Sequence, residues 1–348
     1  MATQQTVQIP LLPLFAAVVV GGGSVAWALS AKSSASKQNK PSKMNPFTTT
    51  FDVKSGDALP KSADGKPCRI ELYGFLPIEG WADVSPACLK LATYLKMCKV
   101  DYKYLPAGAH NCKHSNRAKM PYVRTNIIST AGNDGDKDGL TTIMDSNIIM
   151  HKLQTADPKT FVLDGHLTPQ EAAIATAFRV MFEESFYWTC IVATRWNDKE
   201  QYNKTTKPTY FSDALPRFMW FFFDMIVRPK ILRDSKGQGT GLMTDDEILL
   251  RAQKELDAMS TQLGTNAYFM GDRFCSLDAT AFGYLGAAIQ GDWEHPIKDE
   301  VLKRDNLVKY VERMSKEFWP ELASKLEQEQ GKKEDLQKED SQKPDTAK

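Results

Sequence analysis

Apolar and polar positions alternate along Cys68 to Phe75 (CRIELYGF), a run bounded by Pro67 and Pro77. That period of two predicts a strand. Ser85-Pro86 then opens a helix, with Ser favoured at the N-cap and Pro at the first helical position. Cys88, Leu91, Ala92, Leu95 and Cys98 recur at helical spacing and define one apolar face. Asp101 to Leu105 reads as a second short strand, and Pro121 to Ile128 and Leu140 to Met144 as two more. A Gly- and Asp-rich stretch from Ser129 to Gly139 joins the last two as a hairpin. Asp145-Ser146 starts a helix over Asn147 to Leu153. Beyond this point every pattern is helical. Thr168-Pro169-Gln170-Glu171 combines a Thr cap, Pro at N1 and Glu at N3. Aromatics are dense from Phe178 to Trp196 and from Phe211 to Phe223. Asp245 to Leu263, Leu277 to Ile289 and Asn306 to Phe318 complete the helices, and no internal repeat is present.

The two ends follow different rules. Residues 1–31 carry no charged side chain, and Ile9 to Leu29 is 21 residues of mainly apolar sequence. As a helix it would extend about 31 Å, close to the hydrocarbon thickness of a bilayer. Lys32, Lys37, Lys40 and Lys43 follow and would hold that flank in the cytosol. The expectation is a single N-terminal transmembrane anchor, residues 1–31, with a cytosolic bulk. A cleaved signal peptide ending near Ala28-Leu29-Ser30 is the rival, disfavoured by the segment's length and by the lack of a preceding Lys or Arg. Residues 32–67 read as a flexible linker, and 323–348 as a disordered charged tail. Two folded units remain, 68–160 and 165–322.

Composition narrows the function. Forty-four basic and 43 acidic residues leave a net charge of +1, which gives no footprint for nucleic acid. Six cysteines without a CxxC pair exclude a disulfide scaffold or a zinc ribbon. With 42% apolar and 25% charged residues, the chain is neither fully disordered nor a polytopic membrane protein.

Strand, helix, strand, then hairpin and helix is the order of a thioredoxin-like domain. Followed by an all-helical unit, it is the architecture of the glutathione transferases. The expected fold is therefore an α/β thioredoxin-like N-terminal domain plus an all-α, transferase-like C-terminal domain, preceded by one transmembrane helix. Glu183-x3-Tyr187-Trp188 with Arg195-Trp196 resembles the failed axon connections family, which is close to the metaxins. So do Gly237-Gln-Gly-Thr-Gly241, Met270-Gly-Asp-Arg273 with Asp278-Ala-Thr-Ala-Phe-Gly283, Arg313-Met314 with Phe318-Trp319-Pro320, and the helix start Ser85-Pro86-Ala87-Cys88-Leu89-Lys90. The resemblance covers about residues 69–320.

Ser85 and Cys88 form S-x-x-C at a helix N-terminus, where unpaired N–H groups and the helix dipole favour an anion. The resemblance implies that Ser85 is the catalytic hydroxyl, donating a hydrogen bond to the sulfur of glutathione. The plainer reading, a helix cap, stands beside it. Cys88 reads as a buried structural residue, and no internal disulfide with Ser85 is available. Met120-Pro121 opens a strand; the resemblance implies a cis proline whose preceding residue presents backbone to a peptide-like ligand. It also implies that Asp145 and Ser146 bind the γ-glutamyl ammonium and carboxylate of glutathione, a chemistry suited to a carboxylate, a hydroxyl and a helix start. Asp278 is a structural residue at N3 of its helix, behind a poor cap at Cys275, with Ser276 as an alternative cap by a one-residue shift.

Two motifs imitate metal sites. Asp134-Gly-Asp136-Lys-Asp138-Gly139, with Asp145 closing the run, matches most of a calcium loop, but its last ligand is Asp and its flanks are strands. His110-Asn-Cys112-Lys-His114 supplies three ligands at spacing two and no fourth. Both read as loops, and no metal is expected. Trp220 to Phe223 cannot all face one side of a helix, which points to a membrane or partner contact.

Two functions follow from the resemblance. One is a membrane-anchored glutathione transferase that conjugates electrophiles, with glutathione as co-substrate and no other cofactor. The other is a membrane-tethered adaptor, as metaxins use the fold in mitochondrial import, acting through a homodimer or a protein partner. The mitochondrial outer membrane or the endoplasmic reticulum is the implied location.

Overall fold

The computed structural model describes residues 51–53, 68–75, 83–106, 119–128, 139–211 and 220–320. Five strands form one sheet: β1 (Phe51–Val53), β2 (Ile70–Gly74), β3 (Tyr102–Pro106), β4 (Tyr122–Thr125) and β5 (Thr141–Met144), in the order β1-β3-β2-β4-β5. β2 and β3 are parallel, joined through α1 (Pro86–Met97), while β4 runs antiparallel to both β2 and β5. This is the thioredoxin-type unit expected from the sequence. β1, inside the stretch read as a linker, pairs antiparallel with β3. Its three residues are too few for a periodic signal.

α2 (Ser146–Ala156) and the short α3 (Pro158–Phe161) lead into the helical unit. α4 (Pro169–Val180) opens with a full capping box, Thr168 to Glu171 and back. It runs on as a π-helix over Met181–Asn197. α5 (Lys199–Gln201), α6 (Lys207–Phe211), α7 (Trp220–Phe222), α8 (Arg228–Gln238), α9 (Asp245–Leu263), α10 (Ser276–Ile289), α11 (Pro296–Leu302) and α12 (Asp305–Phe318) complete it. A capping box at Thr244 and Glu247 starts α9 at the residue that the pattern predicts.

The transmembrane part of the expected architecture is corrected. Ile9 to Leu29 lies outside the described residues, and among the described residues no helix is long and apolar enough to cross a membrane. The reason is charge. The 19-residue α9 includes Asp245, Asp246, Glu247, Arg251 and Lys254, and the 17-residue π-helix includes Glu183, Glu184 and Arg195. Each such side chain is costly in hydrocarbon. The fold is a thioredoxin-type unit followed by a helical unit.

One core runs through both units, and α1 lies in its middle against α10. α10 is buried from Ser276 to Ala288, and its small residues let α1 come close. A Cβ on Gly283 would stand 2.7 Å from the Pro86 carbonyl oxygen and 2.8 Å from the Lys90 amide nitrogen. Only glycine fits where two helix backbones approach this closely. Gly283→Ala is therefore expected to lower the unfolding free energy by about 1–3 kcal/mol. Gly286→Ala, whose methyl would meet Leu89 Cδ2 at an ordinary 3.6 Å, should not destabilise, because it gains helix propensity. Urea unfolding of the two variants checks this; equal effects would refute the packing argument.

Candidate functional site

Strand register gathers the site. Tyr73 lies opposite Tyr122 and Tyr122 opposite Met144. The chain leaving β2, the residue entering β4 and the residue leaving β5 therefore share one end of the sheet. The start of α1, Met120-Pro121 and the start of α2 converge there.

At the start of α1, Ser85 is the N-cap, and its Oγ accepts from the Cys88 amide at 3.5 Å. The Ser85 amide in turn donates to Asp83 Oδ1 at 2.7 Å. Asp83 is fully buried. Its Oδ2 accepts from the Phe75 amide at 3.0 Å and from the Tyr104 hydroxyl. Gly74 makes room, since a Cβ there would stand 2.5 Å from Asp83 Oδ2. Burial raises the Asp83 carboxyl to about 6, despite the hydrogen bonds that pull it back. One carboxylate thus ties the end of β2 to the residue that caps α1.

Arg195 holds the same turn from the helical unit. The residue is 3% exposed, and its guanidinium donates to the Val84 carbonyl at 2.7 Å and the Ala287 carbonyl at 2.6 Å. It also lies 4.3 Å from the Trp293 ring centroid, a cation–π contact.

Cys88 has no exposed surface. Burial, and then the neighbouring Asp83 charge, push its thiol well above the usual range. That placement is the inward one the helical spacing predicts.

The Met120–Pro121 peptide bond is cis. Across from it, Asp145 caps α2 with φ +75°, a region that an L-residue seldom adopts. Its Oδ1 accepts from the amides of Asn147 (3.0 Å) and Ile148 (3.3 Å). Among the described residues, Oδ2 has no hydrogen-bond partner. Ser146 is 9% exposed, and its Oγ accepts from Lys90 Nζ at 3.3 Å. Lys90, on α1, is wholly buried and pairs with Glu183 of the π-helix at 2.5 Å. Burial lowers its pKa, and Glu183 opposes that shift.

Asp278 lies away from this end of the sheet. Its carboxylate accepts from the Cys275 and Phe269 amides (2.8 and 2.9 Å) and from the Tyr310 hydroxyl (3.1 Å). Ser276 does not take over as cap, because Asp164 holds both its amide and its hydroxyl at 2.6 Å. The calcium-like run Asp134 to Asp138 and the His110–His114 run lie outside the described residues.

Asp83, Lys90, Glu183 and Arg195 are the site residues that sequence reasoning missed. A Lys inside an amphipathic helix reads as solvent-facing, and an Asp two residues before a cap reads as loop. Glu183 and Arg195 stand in the motif that carries the family resemblance, but nothing in that motif says what they touch.

The comparisons with known proteins agree with this fold. Residues 86–201 match the glutathione S-transferase N-terminal domain, and residues 252–314 the glutathione S-transferase C-terminal domain. The chain is 28% identical to isoprene-epoxide–glutathione S-transferase of Rhodococcus, over 72% of this chain and 99% of that protein. It is 26% identical to Failed axon connections of Drosophila melanogaster, over 74% of this chain and 60% of that protein. It is 30% identical to a Metaxin-1 homolog of Caenorhabditis briggsae, over 49% of this chain and 52% of that protein. The chain thus spans only part of these last two relatives. Among solved structures, beta-etherase LigF of Sphingobium sp. shares the fold, with a TM-score of 0.51 at 15% identity over 74% of this chain and 99% of that chain. The protein has a glutathione S-transferase-like fold. Among proteins of that fold it is similar to failed axon connections and the metaxins, at 24–30% identity.

Two measurements follow from the buried groups. The Asp83 carboxyl rises from an ordinary value near 3.8 to about 6 in the fold, so the native state holds the proton more tightly than the unfolded chain. Its stabilisation is fully present below about pH 4 and lost as pH rises through 6. Between pH 7.5 and pH 4, wild type should gain on the order of 3 kcal/mol relative to Asp83→Asn. Urea unfolding across that range checks this, and a constant difference between the two proteins would disprove it. Cys88 should react with alkylating agents only when denaturant is added. Mass-spectrometric labelling reads this directly, and fast native labelling would show the thiol to be accessible.

Proposed function

We propose that the protein binds glutathione at the shared end of the sheet and transfers it to small electrophiles. The observation that carries this reading is the pair Asp145 and Ser146. Side by side they offer one carboxylate oxygen and one hydroxyl proton with no partner among the described residues. That combination suits the ammonium and carboxylate of a γ-glutamyl head. The cis Met120–Pro121 bond stands beside it, where the cysteinyl backbone of the tripeptide would run.

Ser85 is half-buried at the start of α1. Its oxygen accepts from the Cys88 amide, and its hydroxyl also lies within hydrogen-bond reach of the Cys88 thiol; in this reading its proton turns to a ligand sulfur. In the proposed reaction the glutathione thiol loses its proton to water, and the Ser85 hydroxyl and the helix start stabilise the thiolate. The thiolate forms a C–S bond as the bond to the leaving oxygen breaks, and that oxygen takes a proton from water. An epoxide is the first electrophile to try, because the Rhodococcus relative, named for isoprene epoxide, is matched over nearly its whole length.

A second reading, a scaffold that binds another protein, is supported by the apolar surface at Phe221, Met225 and Leu242, which are 62%, 59% and 75% exposed. Glutathione titration by calorimetry separates the two. Binding should be measurable at millimolar ligand, Asp145→Ala should weaken it by about 1–3 kcal/mol, and Ser85→Ala should lower turnover more than affinity. No heat of binding in the wild type would remove the transferase reading and leave the scaffold.

A further inference from the structure

We infer that Lys90 is a positioning residue that fixes the Ser146 hydroxyl as a donor toward a ligand carboxylate. This rests on the glutathione reading above and adds to it the group that sets the polarity of the site.

The argument is one of directions. An ammonium has three donors and no acceptor. Lys90 Nζ has three partners: Glu183 Oε1 at 2.5 Å, Asn147 Oδ1 at 2.5 Å and Ser146 Oγ at 3.3 Å. The Asn147 side-chain amide is oriented by the same network, because its Nδ2 donates to Glu183 Oε2 at 2.5 Å. Every direction is then fixed. Ser146 Oγ can only accept from Lys90, so its own proton must point to another acceptor, and none takes it among the described residues. Without Lys90 the hydroxyl could rotate and present a lone pair instead, which repels a carboxylate.

A role in folding alone explains this pair less well. Burying two charges costs several kcal/mol per ion, and an apolar pair of similar size is often as stable or more so. What an apolar pair could not do is direct a neighbouring hydroxyl.

The test uses the full chain and the double variant Lys90→Met/Glu183→Gln, which removes both charges together and leaves no buried ion unpaired. Circular dichroism and thermal unfolding establish that it folds. If it does not, Lys90→Leu/Glu183→Leu, which fills the same space with apolar side chains, takes its place. Two ligands are titrated by calorimetry: glutathione, and the analogue in which 4-aminobutyrate replaces the γ-glutamyl group, so that the α-carboxylate is lost and the ammonium is kept. The expected result is a loss of about tenfold, roughly 1.4 kcal/mol, for glutathione and little change for the analogue. Adding Ser146→Ala should then cost nothing further, because the hydroxyl has already lost its orientation. Equal losses for both ligands, an unchanged glutathione affinity, or a further tenfold loss on adding Ser146→Ala would each overturn the inference. Absence of glutathione binding in the wild type is a different result: it removes the glutathione reading itself, and this inference with it.

Discussion

Helix α1 has almost no free side, and most of the molecule's organisation follows from that. Ten of its twelve residues are buried, including Lys90, Thr93 and Tyr94. A helix covered all round must find a partner for each polar side chain it carries, because a buried polar group left alone costs about 1–3 kcal/mol. Those partners come from across the fold. Lys90 meets Glu183 of the π-helix, Thr93 accepts from the Trp319 indole at 3.0 Å, and Tyr94 donates to the Phe161 carbonyl at 2.5 Å. The polar residues of α1 thus specify where the helical unit sits, while Gly283 sets how near it comes. Apolar packing alone would hold the units together without fixing their register.

The site inherits its geometry from this arrangement. Ser85 is placed from below by Asp83, which reaches the end of β2, and the residue before it is held from the helical unit by Arg195. Ser146, at the start of α2, is placed by Lys90 of α1, 56 residues away in sequence but adjacent in space. The two ends of the proposed ligand site are therefore joined through α1. A change in how α1 packs on α10 moves both, which is why a glycine remote from any ligand matters to the site.

Much of this fold was legible in the sequence. A period-two run found β2, short runs were read as β3 to β5, and the caps at Ser85 and Thr168 found the starts of α1 and α4. Cap chemistry and periodicity are local, so one sequence suffices to see them. The candidate residues Ser85, Met120, Pro121, Asp145 and Ser146 were visible through family likeness. What stayed hidden depends on tertiary contact. The apolar spacing of α1 marked one buried face, and Lys90 lies off that face, so its burial by the second unit left no local trace. β1 is too short to carry a period. The π-helix differs from an α-helix only in which carbonyl each amide selects, and aromatic-rich sequence is compatible with either.

The charges at the start of α1 give the arrangement its chemical sense. Asp83 and Arg195 flank the same turn, yet they do not pair with each other. Asp83 is met by two amides and a hydroxyl, and Arg195 by two carbonyls, a tyrosine hydroxyl and an indole face. A direct salt bridge would neutralise both charges and leave the turn with no field of its own. Held apart, the carboxyl keeps a pKa that burial has raised to about 6. At the helix start the dipole favours an anion. Cys88 gains nothing from this, because it faces inward and desolvation outweighs any favourable field. An anion bound from solvent at Ser85 meets the same dipole without that desolvation, so the arrangement favours a thiolate brought by a ligand over one made from the protein's own cysteine.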